Sequence, residues 1–293
     1  MTITRMHSAA RPRIVVIACT IGALAGFSAN SLLTRAAVGP QLVDAVTFTS
    51  LRLLAGALVL GALHALSTGE RSASAAAQAP PWAGAAALAG YAYAFAFAYT
   101  RIDAGTGALL LFGAVQMTMT GWGIGRGERP RAAEWLGLGV ALAGLIVLTR
   151  PGQHAPDPLG AGLMIVAGGC WGVYSLLGRQ TTSPLARTFT NFALAASVGL
   201  AVLLLPLALH TTTRGSTLAV ISGAVASGLG YTLWYRAVPA LTRFRAALVQ
   251  LSVPAVTALA AWPLLDERIT SRLVAASALI LGGILVACTA RER

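Results

Sequence analysis

The sequence contains no lysine. Nine acidic residues stand against 21 basic ones, so every basic residue is an arginine, and the formal net charge is +12. A Walker A phosphate loop needs a Lys on the nucleotide phosphates. The glycine series Gly121, Gly123, Gly125 and Gly127 is therefore no ATP cradle; it is expected to serve close packing and a bend out of a helix. Charged residues make up only 10% of the chain, where soluble domains carry about 25%. Cysteine is scarce as well. Cys19, Cys170 and Cys288 are odd in number, lack metal-ligand spacing and sit in apolar runs, so they read as small buried apolar residues. His7, His64, His154 and His210 are scattered, with no pair four residues apart to hold zinc. No Gly-x-Ser-x-Gly nucleophile elbow occurs. Nothing in these patterns calls for a catalytic residue, a metal or a cofactor.

What the chain has is apolar length. Hydrophobic residues make up 56% of it and the mean hydropathy is +0.73. About 20 apolar residues at 1.5 Å each cross the hydrocarbon of a bilayer. Ten such runs absorb nearly the whole sequence. They are placed at Ile14–Thr34, Leu42–Leu66, Trp82–Thr100, Gly105–Gly123 and Ala132–Thr149, then at 158–178, 186–209, 216–238, 242–265 and 270–289. The basic start before the first run also describes a signal peptide. Its span length, and the recurrence of its polar end later in the chain, argue for a membrane helix instead. Gly22 and Gly26 in that run have the small-xxx-small spacing that lets another helix approach closely. Tyr91, Tyr93, Phe95, Phe97 and Tyr99 alternate with Ala, which in water would argue for a strand. An isolated strand in a bilayer leaves its backbone unpaired, so a helix is expected, with Tyr91, Phe95 and Tyr99 on one face.

The chain is written twice. Glu128 and Arg129 match Glu267 and Arg268, and at the same offset Gly144 matches Gly283 and Val147 matches Val286. Ser31-Leu32-Leu33-x-Arg35 matches Ser175-Leu176-Leu177-x-Arg179. Thr47-Phe48-Thr49 matches Thr188-Phe189-Thr190, and Tyr99 matches Tyr235. Such self-similarity marks a repeat architecture. Five helices is an odd number, so two consecutive repeats insert with opposite orientation. The expected fold is an all-α integral membrane protein of ten helices in two inverted repeats, 1–149 and 150–293. The segments on the N-terminal side hold 14 arginines and those on the other side hold six. By the positive-inside rule both termini are expected in the cytoplasm, in a plasma (inner) membrane.

The paired hairpins ending in Gly127-Glu128-Arg129 and Asp266-Glu267-Arg268 carry a family resemblance. So do Pro254, Trp135-Leu136-Gly137, Arg52 and the repeat itself. Across essentially its whole length the chain resembles the drug/metabolite transporter superfamily, and specifically its proteins with two EamA-type repeats. The resemblance implies a ten-helix carrier, an exporter of small metabolites such as amino acids, with a cavity between the repeats. The acidic residue that often precedes a Pro in the fourth and ninth helices of such proteins is absent: Val115-Gln116 and Val253-Pro254 stand there. The membrane Glu that small multidrug relatives carry in their first helix is missing too. Proton-driven exchange therefore lacks a visible carboxylate, which favours facilitated flux.

Arg52 is the sharpest site candidate, about 15 Å into its run by helical rise. A charge there marks function by default and suits a substrate carboxylate held by a bidentate pair. Pairing with helix-end carbonyls or Asp44, or snorkelling to the surface, is the structural alternative. Asn30, Tyr91, Gln116 and Gln250 form a second set together with Trp171, Tyr174 and Tyr231. Neutral polar groups and aromatic faces in a bundle suit a zwitterion; singly, each could as well be interhelical glue. Glu128 and Glu267 are expected to cap helices and pair charges at the membrane edge. The expected partners are a small-molecule substrate and membrane lipid, not nucleic acid, with the chain a monomer or homodimer. Two other classes remain. A membrane-embedded enzyme on a lipid-linked substrate could use Arg236, Arg243 and Arg245 for phosphate, but no acid for chemistry stands near them. A non-transporting scaffold would have only very short loops for its partners.

Overall fold

The computed structural model describes residues 13–67, 81–127, 131–152, 155–178, 183–241, 249–250 and 252–292. They form helices α1 (Arg13–Val38), α2 (Ala45–Leu66), α3 (Pro81–Tyr99), α4 (Ala104–Gly125) and α5 (Ala132–Thr149). The second half gives α6 (Pro158–Gly178), α7 (Pro184–Leu203), α8 (Thr213–Ala240), α9 (Ser252–Leu265) and α10 (Ser271–Glu292). Seven of them, α1, α2 and α4 to α8, are long and apolar enough to cross a membrane. The protein is an all-α membrane protein, as its hydropathy predicts.

Contacts among the helices follow the repeat. Helix α3 packs on α6 and α1 on α8; α4 packs on α6 and α1 on α9; α2 packs on α8 and α3 on α7. Exchanging the halves turns each of these pairs into its mate. The remaining principal pairs, α2 with α7, α4 with α9 and α5 with α10, map onto themselves. This is the pattern of an axis relating two inverted five-helix units. Single residues repeat it at the α5–α10 crossing. A Cβ on Gly144 would stand 2.7 Å from Ile280, and one on its match Gly283 would stand 2.5 Å from the Ala141 nitrogen. Ala141 and Ile280 are themselves matched by the same offset. Gly26 lies against Ala226 and Gly230 where α1 crosses α8, so the small-residue spacing in α1 does serve close approach. The Gly121–Gly127 series divides. Gly121 and Gly125 face open space, while Gly127, at φ +86°, makes the turn out of α4.

Helix α7 ends at Leu203, six residues before the apolar run does. Pro206 is the cause, since the residue before a proline is pushed out of the helical region. The segment that follows is extended and pairs with the α1–α2 connection. Val43 and Thr211 form an antiparallel bridge, and the Asp44 amide donates to the His210 carbonyl at 3.0 Å. Asp44 also caps α2, its carboxylate accepting from the amides of Thr47 and His210 at 2.8 Å each. It is therefore a helix cap and not a counter-ion for Arg52.

The face that holds this bridge is tied by a second network. Arg35 at the end of α1 donates through Nε to Glu267 at 3.2 Å, through Nη1 to the Tyr99 carbonyl at 2.8 Å and through Nη2 to Asp103 at 3.4 Å. Both Glu267 oxygens accept from the Ala104 amide, at 2.9 and 2.8 Å, so a carboxylate of the second half caps α4 of the first. Arg101 pairs with Asp157 at 3.7 Å on the same face. The predicted capping role of Glu267 holds, with Arg35 and not the adjacent Arg268 as its partner; Glu128 lies outside the described residues. Cys19 is buried and Cys170 half-buried, both as free thiols.

Two outcomes follow. The carbonyl of Arg52 stands where a Cβ on Gly223 would have to go. Gly223→Ala is expected to destabilise by about 1–3 kcal/mol through overpacking, read as a lower melting temperature in detergent; an unchanged value would mean the α2–α8 contact is slack. Burial pushes the Glu267 carboxyl above the usual carboxylate range, against the opposing effect of the Ala104 amide. A carboxyl raised in the folded state stabilises when protonated, and that contribution is lost as pH rises through the folded value. Asp44 has the opposite sign: burial raises it, but hydrogen bonds from Thr47 and His210 win and hold it low, so its contribution is lost as pH falls. Glu267→Gln should therefore flatten only the loss of stability between the usual carboxylate range and neutrality. An unaltered slope there would contradict the assignment.

Candidate functional site

Arg52 lies seven residues after the start of α2, about 10 Å by helical rise. That is shallower than the run length suggests, because α2 begins at Ala45 behind its Asp44 cap. The side chain is nonetheless 1% exposed and is the largest fully buried side chain described. It neither snorkels nor meets a carboxylate. Its Nε donates to Ser227 Oγ at 3.4 Å and its Nη2 to Tyr91 Oη at 3.2 Å. The guanidinium carbon sits 5.3 Å from the centre of the Tyr91 ring and 5.4 Å from that of Phe95. Nη1 is buried and has no hydrogen-bond partner among the described residues.

The surroundings come from both halves. Tyr91 Oη also accepts from Asn30 Nδ2 at 3.1 Å, and Asn30 Oδ1 accepts from Ser222 Oγ at 2.7 Å. At the register fixed by Tyr99 and Tyr235, Tyr91 matches Ser227 and Phe95 matches Tyr231. Arg52 thus reaches equivalent positions on α3 and α8. Its own match, by the register of Thr47 and Thr188, is Ala193, so the charge is the asymmetric feature of an otherwise paired centre. The two serines lie within the stretch Ser222–Leu229, Ser222 as its first residue, and the stretch is wound as a π-helix. Such a turn, with its i→i+5 bonds, re-aims the side chains around it and is frequent at functional sites.

Aromatic rings continue the cluster. Tyr91 and Trp171 lie 4.8 Å apart, and Trp171 lies 5.4 Å from both Tyr174 and Tyr231. Tyr231 also meets Phe192 edge-on at 5.8 Å. The predicted face of α3 is as expected: Tyr91, Phe95 and Tyr99 are all buried, and Phe97 turns outward. Six of the eight candidate residues therefore come together: Asn30, Arg52, Tyr91, Trp171, Tyr174 and Tyr231. Gln116 and Gln250 are half-buried, and no hydrogen bond among the described residues joins them to the group. Ser222, Ser227, Phe95 and Phe192 complete it. Phe95 was legible through its i, i+4 spacing from Tyr91, whereas the serines, common in membrane helices, carry no signal of their own.

This arrangement can bind an anion. A guanidinium in the membrane interior costs about 2.5–3.5 kcal/mol on insertion scales. Its two hydrogen bonds are long and neutral, and its ring contacts are worth about 1–2 kcal/mol each when desolvated. They offset the burial and leave Nη1 unmet. Among the described residues no group of three or more His, Cys, Asp or Glu side chains could hold a metal.

Comparison with known proteins identifies the family. The EamA-like transporter family matches residues 158–289, from the first residue of α6 into α10. An uncharacterized protein of Pseudomonas aeruginosa, PA1977, is 48% identical over 269 residues, covering 90% of this chain and 91% of its own. A solved crystal structure with 22% identity superposes with a TM-score of 0.65, over 94% of this chain and 98% of its own; at that identity it shows the fold alone. With a family match that fills the second half, and the same hairpin written again in the first, the chain belongs to the EamA-like transporter family.

Proposed function

We propose that the protein is a secondary carrier that exports small metabolites, amino acids or similar zwitterions, by alternating access. The units that rock against each other are residues 1–149 and 150–293. The observation that carries this reading is Arg52: a buried guanidinium whose Nη1 has no partner, between repeat-equivalent residues of the two halves. A substrate carboxylate is the group that would complete it. Tyr91, Trp171, Tyr174 and Tyr231 offer apolar walls, and Asn30 offers a neutral amide. Gln116 and Gln250 would line the path at a distance from the charge. On this reading the ties between Arg35, Asp103 and Glu267 close the site on one face. Flux is facilitated by the substrate gradient, because no acidic residue lies deep within a predicted span to couple a proton, Glu134 standing in the first turn of α5. The protein is placed in the plasma membrane with both termini cytoplasmic, on the arginine bias.

Purified protein in liposomes is expected to move labelled amino acids down a gradient. Arg52→Ala should lower the initial rate at least about 10-fold, the equivalent of one charge-assisted hydrogen bond. Arg52→Lys should recover it only in part, since an ammonium lacks the planar fork. Retained rates in both variants, with unchanged elution in detergent, would remove Arg52 from the site. Reporter fusions at the two termini should both report cytoplasm; opposite signals would contradict the ten-helix arrangement.

A further inference from the structure

The charge balance of the site narrows the substrate class further. Arg52 is the one charged residue among the buried side chains described. Among the described residues, every acidic residue stands between the helices or in a terminal helical turn. Two of them are engaged elsewhere. Asp44 caps α2 and holds His210, and Glu267 caps α4 and holds Arg35. Among the described residues the centre thus carries an excess positive charge, with no carboxylate to meet a substrate ammonium.

Aromatic faces are the other way to hold an ammonium, and here they are engaged. The rings of Tyr91 and Phe95 already take the guanidinium of Arg52, at 5.3 and 5.4 Å. Trp171 is packed against Tyr91, Tyr174 and Tyr231 at 4.8 to 5.4 Å. In an α-amino acid the ammonium sits on the carbon next to the carboxylate. A carboxylate on Nη1 would bring that ammonium beside a guanidinium of the same sign in a medium that screens poorly, an arrangement that specificity rests on avoiding.

We propose that the site selects net-anionic carboxylates over zwitterions. It reads the carboxylate at Arg52 and an apolar side chain against the rings, and it does not read an ammonium. The 2-oxo or 2-hydroxy acid that shares an amino acid's side chain is then the better ligand. Its uniport carries net negative charge, so its export follows a potential that is negative inside. A potential of 100 mV on one elementary charge corresponds to about 50-fold accumulation at equilibrium. This inference rests on the carrier reading above and specifies the charge of its substrate.

The test uses the wild-type protein and needs no substitution. Leucine, 4-methyl-2-oxopentanoate and leucinamide share one side chain and differ in charge. In detergent, the oxo acid is expected to raise the melting temperature at a concentration at least about 10-fold below that needed for leucine, and leucinamide is expected to have no effect. In proteoliposomes with an imposed potassium diffusion potential, oxo-acid flux should speed up when the side holding it is made negative. The inference is overturned if leucine is bound and carried while the oxo acid neither stabilises nor competes, an outcome that leaves the carrier reading standing. It is equally overturned if oxo-acid flux ignores the potential. If none of the three binds or moves, and a wider amino-acid panel also fails, the carrier reading falls with it.

Discussion

A guanidinium buried in an apolar bundle without a carboxylate is the constraint around which the centre of this protein is arranged. The described residues that contact the Arg52 guanidinium are neutral. Ser227 and Tyr91 accept from it, and the rings of Tyr91 and Phe95 lie against it. Asn30 and Ser222 in turn hold Tyr91 in place. A fold selected for stability alone would pair or remove such a charge, because an unpaired buried cation costs more than an apolar side chain of similar volume. The bundle instead supports it from two halves and leaves one nitrogen unmet. On the proposed reading, the last ligand of that nitrogen is the substrate carboxylate.

The inverted repeat explains how five short helices per half can build this centre. Equivalent faces of α3 and α8 converge on α2, one offering Tyr91 and Phe95 and the other Ser227 and Tyr231. Helix α2 meets its own equivalent α7 beside them, with Gly56 against Phe192. The π-helical turn at Ser222–Leu229 has no counterpart within α3, which is α-helical from Pro81 to Tyr99. Symmetry therefore supplies the surroundings of Arg52, and that turn and the Arg52–Ala193 difference are the two departures from it. The same logic holds at the face tied by Arg35, where Glu267 of one half caps α4 of the other. On the proposed alternating-access reading, these cross-repeat bonds would have to break when that face opens.

Much of this was legible in the sequence, and the part that was not has physical reasons. Spans could be read because the bilayer sets their length. The buried face of α3 could be read because i, i+4 spacing in a helix is rigid. Arg52 stood out because a lone charge in an apolar run has few innocent explanations. The end of α7 was misread because Leu204–Leu209 is as apolar as a span. Hydropathy sees the leucines and not the backbone constraint of Pro206, and Leu204 is in fact 88% exposed. The partner of Glu267 was out of reach because it lies in the other repeat, 232 residues away, while Arg268 is adjacent in sequence. Ser222 and Ser227 acquire their role only from the π-helical turn, which no residue type announces.

The most direct measurement is an experimental structure of the protein with a carboxylate substrate bound. The account predicts the carboxylate within hydrogen-bond distance of Arg52 Nη1, at the meeting of α2, α3 and α8, with the remainder of the ligand against Tyr91 and Trp171. A substrate seated elsewhere in the bundle, with Nη1 still unpartnered or bound to a side chain of the protein, would contradict it.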